Sequence, residues 1–259
     1  MIRSTSMLGA AAVAATLSFV AGCATTASSS GPSAAITAAV ANTARPDADR
    51  VRDADRKPAE VIAFAGIKPG DKVGDMLPGG GYFTRLFSGV VGAKGVVYAL
   101  PPVRAPNAPA NAPDPAAAVK AIAADPKFAN VKVGALDTAV KLPEQVDVMW
   151  TSLNYHDMQN RPNADLKAFN QWVYDSLKPG GIYIVIDHAA AAGAGKSVTS
   201  TLHRIEPAFV KAEVLASGFR FDGESNVLRN PADDHVTANR DSGVRGKTDQ
   251  FVFRFRKPK

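Results

Sequence analysis

The chain has a single cysteine, Cys23, so no disulfide can form within it and its stability has to come from an apolar core. It also lacks a long hydrophobic run. The apolar segment from Met7 to Ala21 is too short and too rich in alanine for a lasting membrane span, which takes about 20 apolar residues. No basic run is present either: the net charge is +6, but the lysines and arginines are scattered, with only local pairs such as Arg254 and Arg256. Without a basic stretch interleaved with aromatics, nucleic-acid binding has little support, and weak attraction to acidic surfaces is the most this charge implies. There is no internal repeat from which a solenoid could be built. What is present, 46% hydrophobic and 21% charged residues, describes an ordinary soluble domain with enough chain for one core.

The N-terminus reads differently from the rest. Arg3 precedes the apolar segment and small residues follow it, the pattern of an export signal. Val20-Ala21-Gly22-Cys23 resembles the lipobox of bacterial lipoproteins; the alternative is an ordinary cleavage site with an incidental cysteine. The resemblance implies cleavage before Cys23 and acylation of its thiol. With Ala24 rather than an aspartate next, it implies an exported, periplasmic protein anchored in the outer membrane of a two-membrane cell. The expected organisation is a signal over 1–22, a lipidated cysteine and flexible Ala/Ser/Thr-rich tether over 23–45, spanning roughly 25 Å, and a domain over 46–259.

Within that domain, strands and amphipathic helices alternate. "KPAEVIAFAGI" places Val61, Ile62, Phe64 and Ala65 on a helical face, and Val73 and Met76 then open the first strand. Tyr82 to Val91 reads as a helix and "GVVYAL" as a strand, followed by a Pro/Ala/Asn-rich loop, a helix in "AAAVKAIAADP" and a short strand in "VKVGAL". "VDVMWTSL" is a strongly apolar strand. "LKAFNQWVYDSL" is a helix with Phe169, Trp172 and Val173 on one side, and "GIYIVIDH" another buried strand. A helix closed by Gly218 and two strands end the chain, Phe251, Phe253 and Phe255 alternating in the last. This order predicts an α/β fold, a mainly parallel sheet with helices on both faces and a hairpin-like end.

The stretch "DMLPGGGYFTR" then stands at the first strand-to-helix turn, where such sheets bind ligands. Glycines there let a ligand lie against the main chain at a helix N-terminus, although any tight turn could use them. Together with "VDVMWTSLNYHDM", "LKPGGIYIVIDH" and "LHRIEPAFVKAEVLASGF", the turn resembles the class I S-adenosylmethionine-dependent methyltransferases, and more closely a bacterial group of predicted methyltransferases sharing "PGGGYFT" and "NYHD". The resemblance implies a Rossmann-like seven-stranded sheet of order 3-2-1-4-5-7-6 and S-adenosylmethionine as cofactor. It puts Asp75 and the turn Pro78, Gly79, Gly80, Gly81 and Tyr82 at the amino-acid end of the cofactor, Asn154 and Tyr155 beside the methyl donor, and Asp137 within reach of the adenine. Two positions depart from the family pattern. Leu77 stands where a glycine usually begins the turn, and the second strand ends in Leu100-Pro101 where an acid usually binds the ribose hydroxyls.

His156, His188 and His203 fall at or after strand ends, near Asp157, Asp187 and Glu206. Such imidazoles and carboxylates can serve as a general acid/base set that deprotonates an acceptor, bind a metal, or simply be hydrogen-bonded rim residues. Their spacing fits no compact metal signature, so no metal ligands are assigned, and the catalytic set is His156, Tyr155, Asp187 and His188. His235 is expected in a loop over the site. "AAAAGAGKSVTS" imitates a phosphate loop but has Ala190 where that motif needs its first glycine, and reads as a lid. The expected activity is methyl transfer to a small-molecule acceptor, with no obligate protein partner. The alternative is an envelope protein that kept the fold for another ligand or without catalysis.

Overall fold

The alternation of elements produces the expected sheet. The computed structural model describes residues 1–2, 31–105 and 107–259, so the export-signal segment from Arg3 onward and Cys23 lie outside the described residues. Seven strands run in the order β3-β2-β1-β4-β5-β7-β6: β1 Lys72–Met76, β2 Val96–Leu100, β3 Val131–Val133, β4 Val146–Ser152, β5 Leu177–His188, β6 Arg220–Ser225 and β7 Gln250–Arg256. All pairings are parallel except those of β7, which is antiparallel to both β5 and β6.

Side-chain alternation on the central strands divides the core in two. On one face Val148 and Trp150 of β4, Ile184 of β5 and Val252 of β7 pack under α1 (Ala34–Ala41), α4 (Pro58–Ala65), α5 (Tyr82–Val91) and α6 (Ala117–Ala124). On the other, Met149, Tyr183, Val185 and the alternating Phe251, Phe253 and Phe255 pack under α8 (Leu166–Ser176) and α9 (Pro207–Leu215). Among the described residues no helix is long and apolar enough to cross a membrane.

The stretch expected as tether is, from Ala34 onward, folded. Ser33 caps α1 by accepting from the Ile36 amide, and α1 lays Ile36 and Ala39 against α5 and α4. Arg45 is buried, pairs with both carboxylate oxygens of Asp53 at 2.9 and 2.6 Å, and donates to the Val40 carbonyl at 2.7 Å. Two one-turn helices follow, α2 (Asp47–Arg50) and α3 (Asp53–Arg56). The "NYHD" segment also forms a short helix, α7 (Tyr155–Gln159), directly after β4.

Candidate active site

The carboxyl end of β1 continues into the glycine turn. Leu77, at the family's glycine position, adopts the left-handed φ of +54° that glycine favours, held there by its amide bonding to the Leu100 carbonyl at 3.0 Å. Gly79, at φ +55°, and Gly80 have open space where a side chain would stand, whereas a Cβ on Gly81, at φ +79°, would meet Ile122 of α6 at 2.1 Å. Gly81 therefore serves packing and turn geometry, and Gly79 and Gly80 face a cavity of about 220 Å³. Asp75, Pro78, Tyr82 and Asn154 also line it.

Asp75 is buried, and its carboxylate accepts from the Thr84 hydroxyl at 2.6 Å. Burial pushes its carboxyl up to about 7, against the opposing pull of that hydrogen bond and of the Arg56 charge. Asn154 ties the ends of β1 and β4 together: its side-chain amide donates to the carbonyls of Ser152 at 3.1 Å and Leu77 at 3.3 Å. The Tyr82 hydroxyl donates to Asp53 at 2.6 Å, and burial together with that carboxylate pushes the phenol up.

A second cavity, of about 750 Å³, lies beside the first and shares Arg52, Arg56 and Leu153 with it. His156, Asp157 and His188 of a histidine cluster line it. Asp187, fully buried at the end of β5, accepts from the His156 backbone amide at 2.8 Å and pairs with His156 Nδ1 at 2.7 Å. His156 Nε2 faces Asp157 Oδ1 at 3.3 Å, and His203 Nδ1 approaches the same oxygen at 3.2 Å. Burial alone would lower the His156 imidazole, but the carboxylates of Asp187 and Asp157 outweigh it and push it up to about 10. His188 lines the cavity with Nδ1 on the Thr248 hydroxyl at 2.6 Å, and burial pushes it down to about 4. Neighbouring imidazoles are thus driven apart in protonation.

Three residues expected at the site lie elsewhere. Tyr155 is fully buried on the core side of α7, its hydroxyl donating to Glu213 at 2.5 Å and accepting from Asn170 at 2.8 Å, so it reaches neither cavity. Successive helical residues point roughly 100° apart, and His156 takes the cavity side. Asp137 caps its own turn by accepting from the Ala139 amide at 2.9 Å and lines neither cavity. His235 pairs with Asp249 at 2.9 Å, apart from the cluster. In the segment resembling a phosphate loop, the Gly195 amide is taken by the Glu206 carboxylate at 2.7 Å, which occupies the donor a phosphate would need.

Arg52 and Arg56, which border both cavities, are absent from the expected set. They come from "PDADRVRDADR", in which Asp-Ala-Asp-Arg occurs twice, and that duplication is the signal that marks the segment. Arg56 packs over the Tyr82 ring at 4.7 Å, has no carboxylate partner among the described residues, and is pushed down to about 10 by burial and by Arg52.

No family model matches the chain, and no curated protein does. Solved structures match it in fold. An S-adenosylmethionine-dependent methyltransferase from Aquifex aeolicus superposes with a TM-score of 0.55 over 81% of this chain and 93% of its own, at 17% identity. One from Mesorhizobium loti gives 0.52 over 78% and 98%, at 16% identity. SpnF, a cyclase, gives 0.54 over 86% and 91%, at 15% identity. The chain thus has the Rossmann-like fold of the S-adenosylmethionine-dependent methyltransferases, a fold that also carries a cyclase.

Proposed function

We propose that the chain binds S-adenosylmethionine at the glycine turn and passes its methyl group to a small acceptor in the larger cavity. The observation that carries this reading is the pair of cavities sharing the wall of Arg52, Arg56 and Leu153 at the carboxyl ends of β1 and β4. The smaller is below the roughly 300–1,000 Å³ of a typical ligand site, so a cofactor-sized molecule seated there extends toward the larger.

The residues fit the cofactor at its amino-acid end. Asp75 offers a buried carboxylate to the ammonium group, Arg52 and Arg56 offer guanidiniums to the carboxylate, and the bare backbone at Gly79 and Gly80 leaves room. At the ribose end, Leu100 is buried and neither it nor Pro101 brings a side-chain acceptor, so the end of β2 offers the sugar main chain alone. When bound, the cofactor supplies an electrophilic methyl on sulfur. The chain's part is to hold the acceptor in line with it, beside the His156, Asp157 and His203 cluster. Arg240 and Arg245, which also line the larger cavity, favour an anionic acceptor. In this proposal the chain is exported and anchored through Cys23, and the donor reaches it by transport or leakage.

The test is calorimetric titration of S-adenosylmethionine and its demethylated product into the full chain. Gly80→Val is the probe, because Gly80 lines the small cavity and a Cβ there meets no heavy atom within 4 Å. Saturable binding that falls at least about tenfold in Gly80→Val at unchanged melting temperature is expected. No binding at millimolar ligand sinks the proposal.

A further inference from the structure

Three side chains from two distant segments of the chain meet at the rim of the larger cavity. His156 and Asp157 stand side by side on α7, and His203 comes from the turn before α9 at a left-handed φ of +50°. One ligand atom from each lies within 4.8 Å of the other two. His156 is fixed from behind: Asp187 holds Nδ1 and the backbone amide with its two oxygens, which leaves Nε2 directed at Asp157 and His203. A buried carboxylate on the far nitrogen of an imidazole is the arrangement that orients histidines on metals and raises their basicity. His156 and Asp157 also line the cavity, so coordination positions not taken by protein would open onto it.

We propose that His156, Asp157 and His203 bind a divalent transition-metal ion, with Asp187 as the positioning residue behind His156. Two imidazoles and one carboxylate suit zinc or manganese, and three protein ligands leave room for water or an oxygen of a bound molecule. An ion there would act as a Lewis acid on an acceptor oxygen. The proposal does not rest on methyl transfer, since the ion is held by side chains alone.

The experiment uses the full chain, stripped with a chelator and dialysed, titrated calorimetrically with zinc chloride and separately with manganese chloride, without cofactor. One saturable equivalent of at least one metal is expected. Asp157→Asn and His203→Gly should weaken it at least tenfold; the Asp157 side chain is 46% exposed and glycine suits the φ of His203, so both variants should fold, as circular dichroism will verify. Asp187→Asn should weaken it about 10–100-fold, and His235→Ala should leave it unchanged. No saturable binding of either metal by folded protein overturns the proposal. So does binding that Asp157→Asn and His203→Gly leave intact, or that His235→Ala removes.

Discussion

The two copies of Asp-Ala-Asp-Arg, in α2 and α3, share sequence and length and differ in almost everything else. In the first, Asp47 is 84% exposed and Arg50 pairs with it along its own turn. Its one outward tie is Asp49, which takes Arg85 at 2.9 Å. In the second, Asp53 sits where Asp47 would, yet it holds buried Arg45 with both oxygens and receives the Tyr82 hydroxyl, and Arg56 overhangs both cavities. A six-residue displacement along the chain turns a surface turn into a wall of the site. The same four residues do different work because the second copy meets Arg45 and Tyr82 at the end of the glycine turn.

The sharpest way to break this contrast is to remove the two equivalent carboxylates. Asp53→Ala leaves the Arg45 charge buried without its partner and should cost about 3–5 kcal/mol, whereas Asp47→Ala should stay within about 0.5 kcal/mol of the parent. Chemical denaturation of the two variants checks both. A similar loss from each would mean that the contrast is not energetic.

A smaller effect tests the neighbour of Arg56. Asp75 has its carboxyl raised by burial, so the folded chain keeps a proton that the unfolded chain releases. The stability this brings is complete below the ordinary carboxylate range and is lost as pH rises through about 7. From that group alone the protein should be about 2–3 kcal/mol less stable at pH 8 than at pH 5. Asp75→Asn, which keeps an acceptor for Thr84, should flatten that dependence in denaturation curves measured across the range. A slope that survives the substitution would assign it to other groups.

The smallest effect compares the two arginines. Arg56→Met should weaken S-adenosylmethionine about tenfold, or about 1.4 kcal/mol, while Arg50→Met should leave the titration unchanged. Equal affinities would take Arg56 out of the binding wall.

What could be read from the sequence follows how local each signal is. The alternation of strands and helices and the two core faces were visible because period-2 and period-3.6 patterns are written into short windows, as in Phe251, Phe253 and Phe255; the sheet order came only with the resemblance to the methyltransferases. The glycine turn was visible for the same reason, and Asp75, Gly79, Gly80 and Asn154 line one cavity. Helix α1 was not visible: in an alanine-rich segment only Ile36 and Ala39 are buried, too few to make an apolar stripe. The histidine cluster joins residues 46 positions apart, so its geometry appears only once β5 and the turn before α9 are in place. Tyr155 was misplaced because adjacency in sequence puts neighbouring helical side chains on different faces, and Arg52 and Arg56 were missed because their charged segment carries no apolar period that places it in the fold.

Leu77 and Leu153 stand at the ends of adjacent strands, at φ +54° and +60°, each with its amide bonded to the next strand, to Leu100 at 3.0 Å and Ile186 at 2.8 Å. Two non-glycine residues in that region cost on the order of 1–3 kcal/mol each, and the sheet meets that cost during folding. The lip between the cavities is therefore set before any molecule arrives. A ligand that fits it gives up its own freedom and little of the protein's, so recognition at this lip should be rigid, fast and intolerant of the wrong shape.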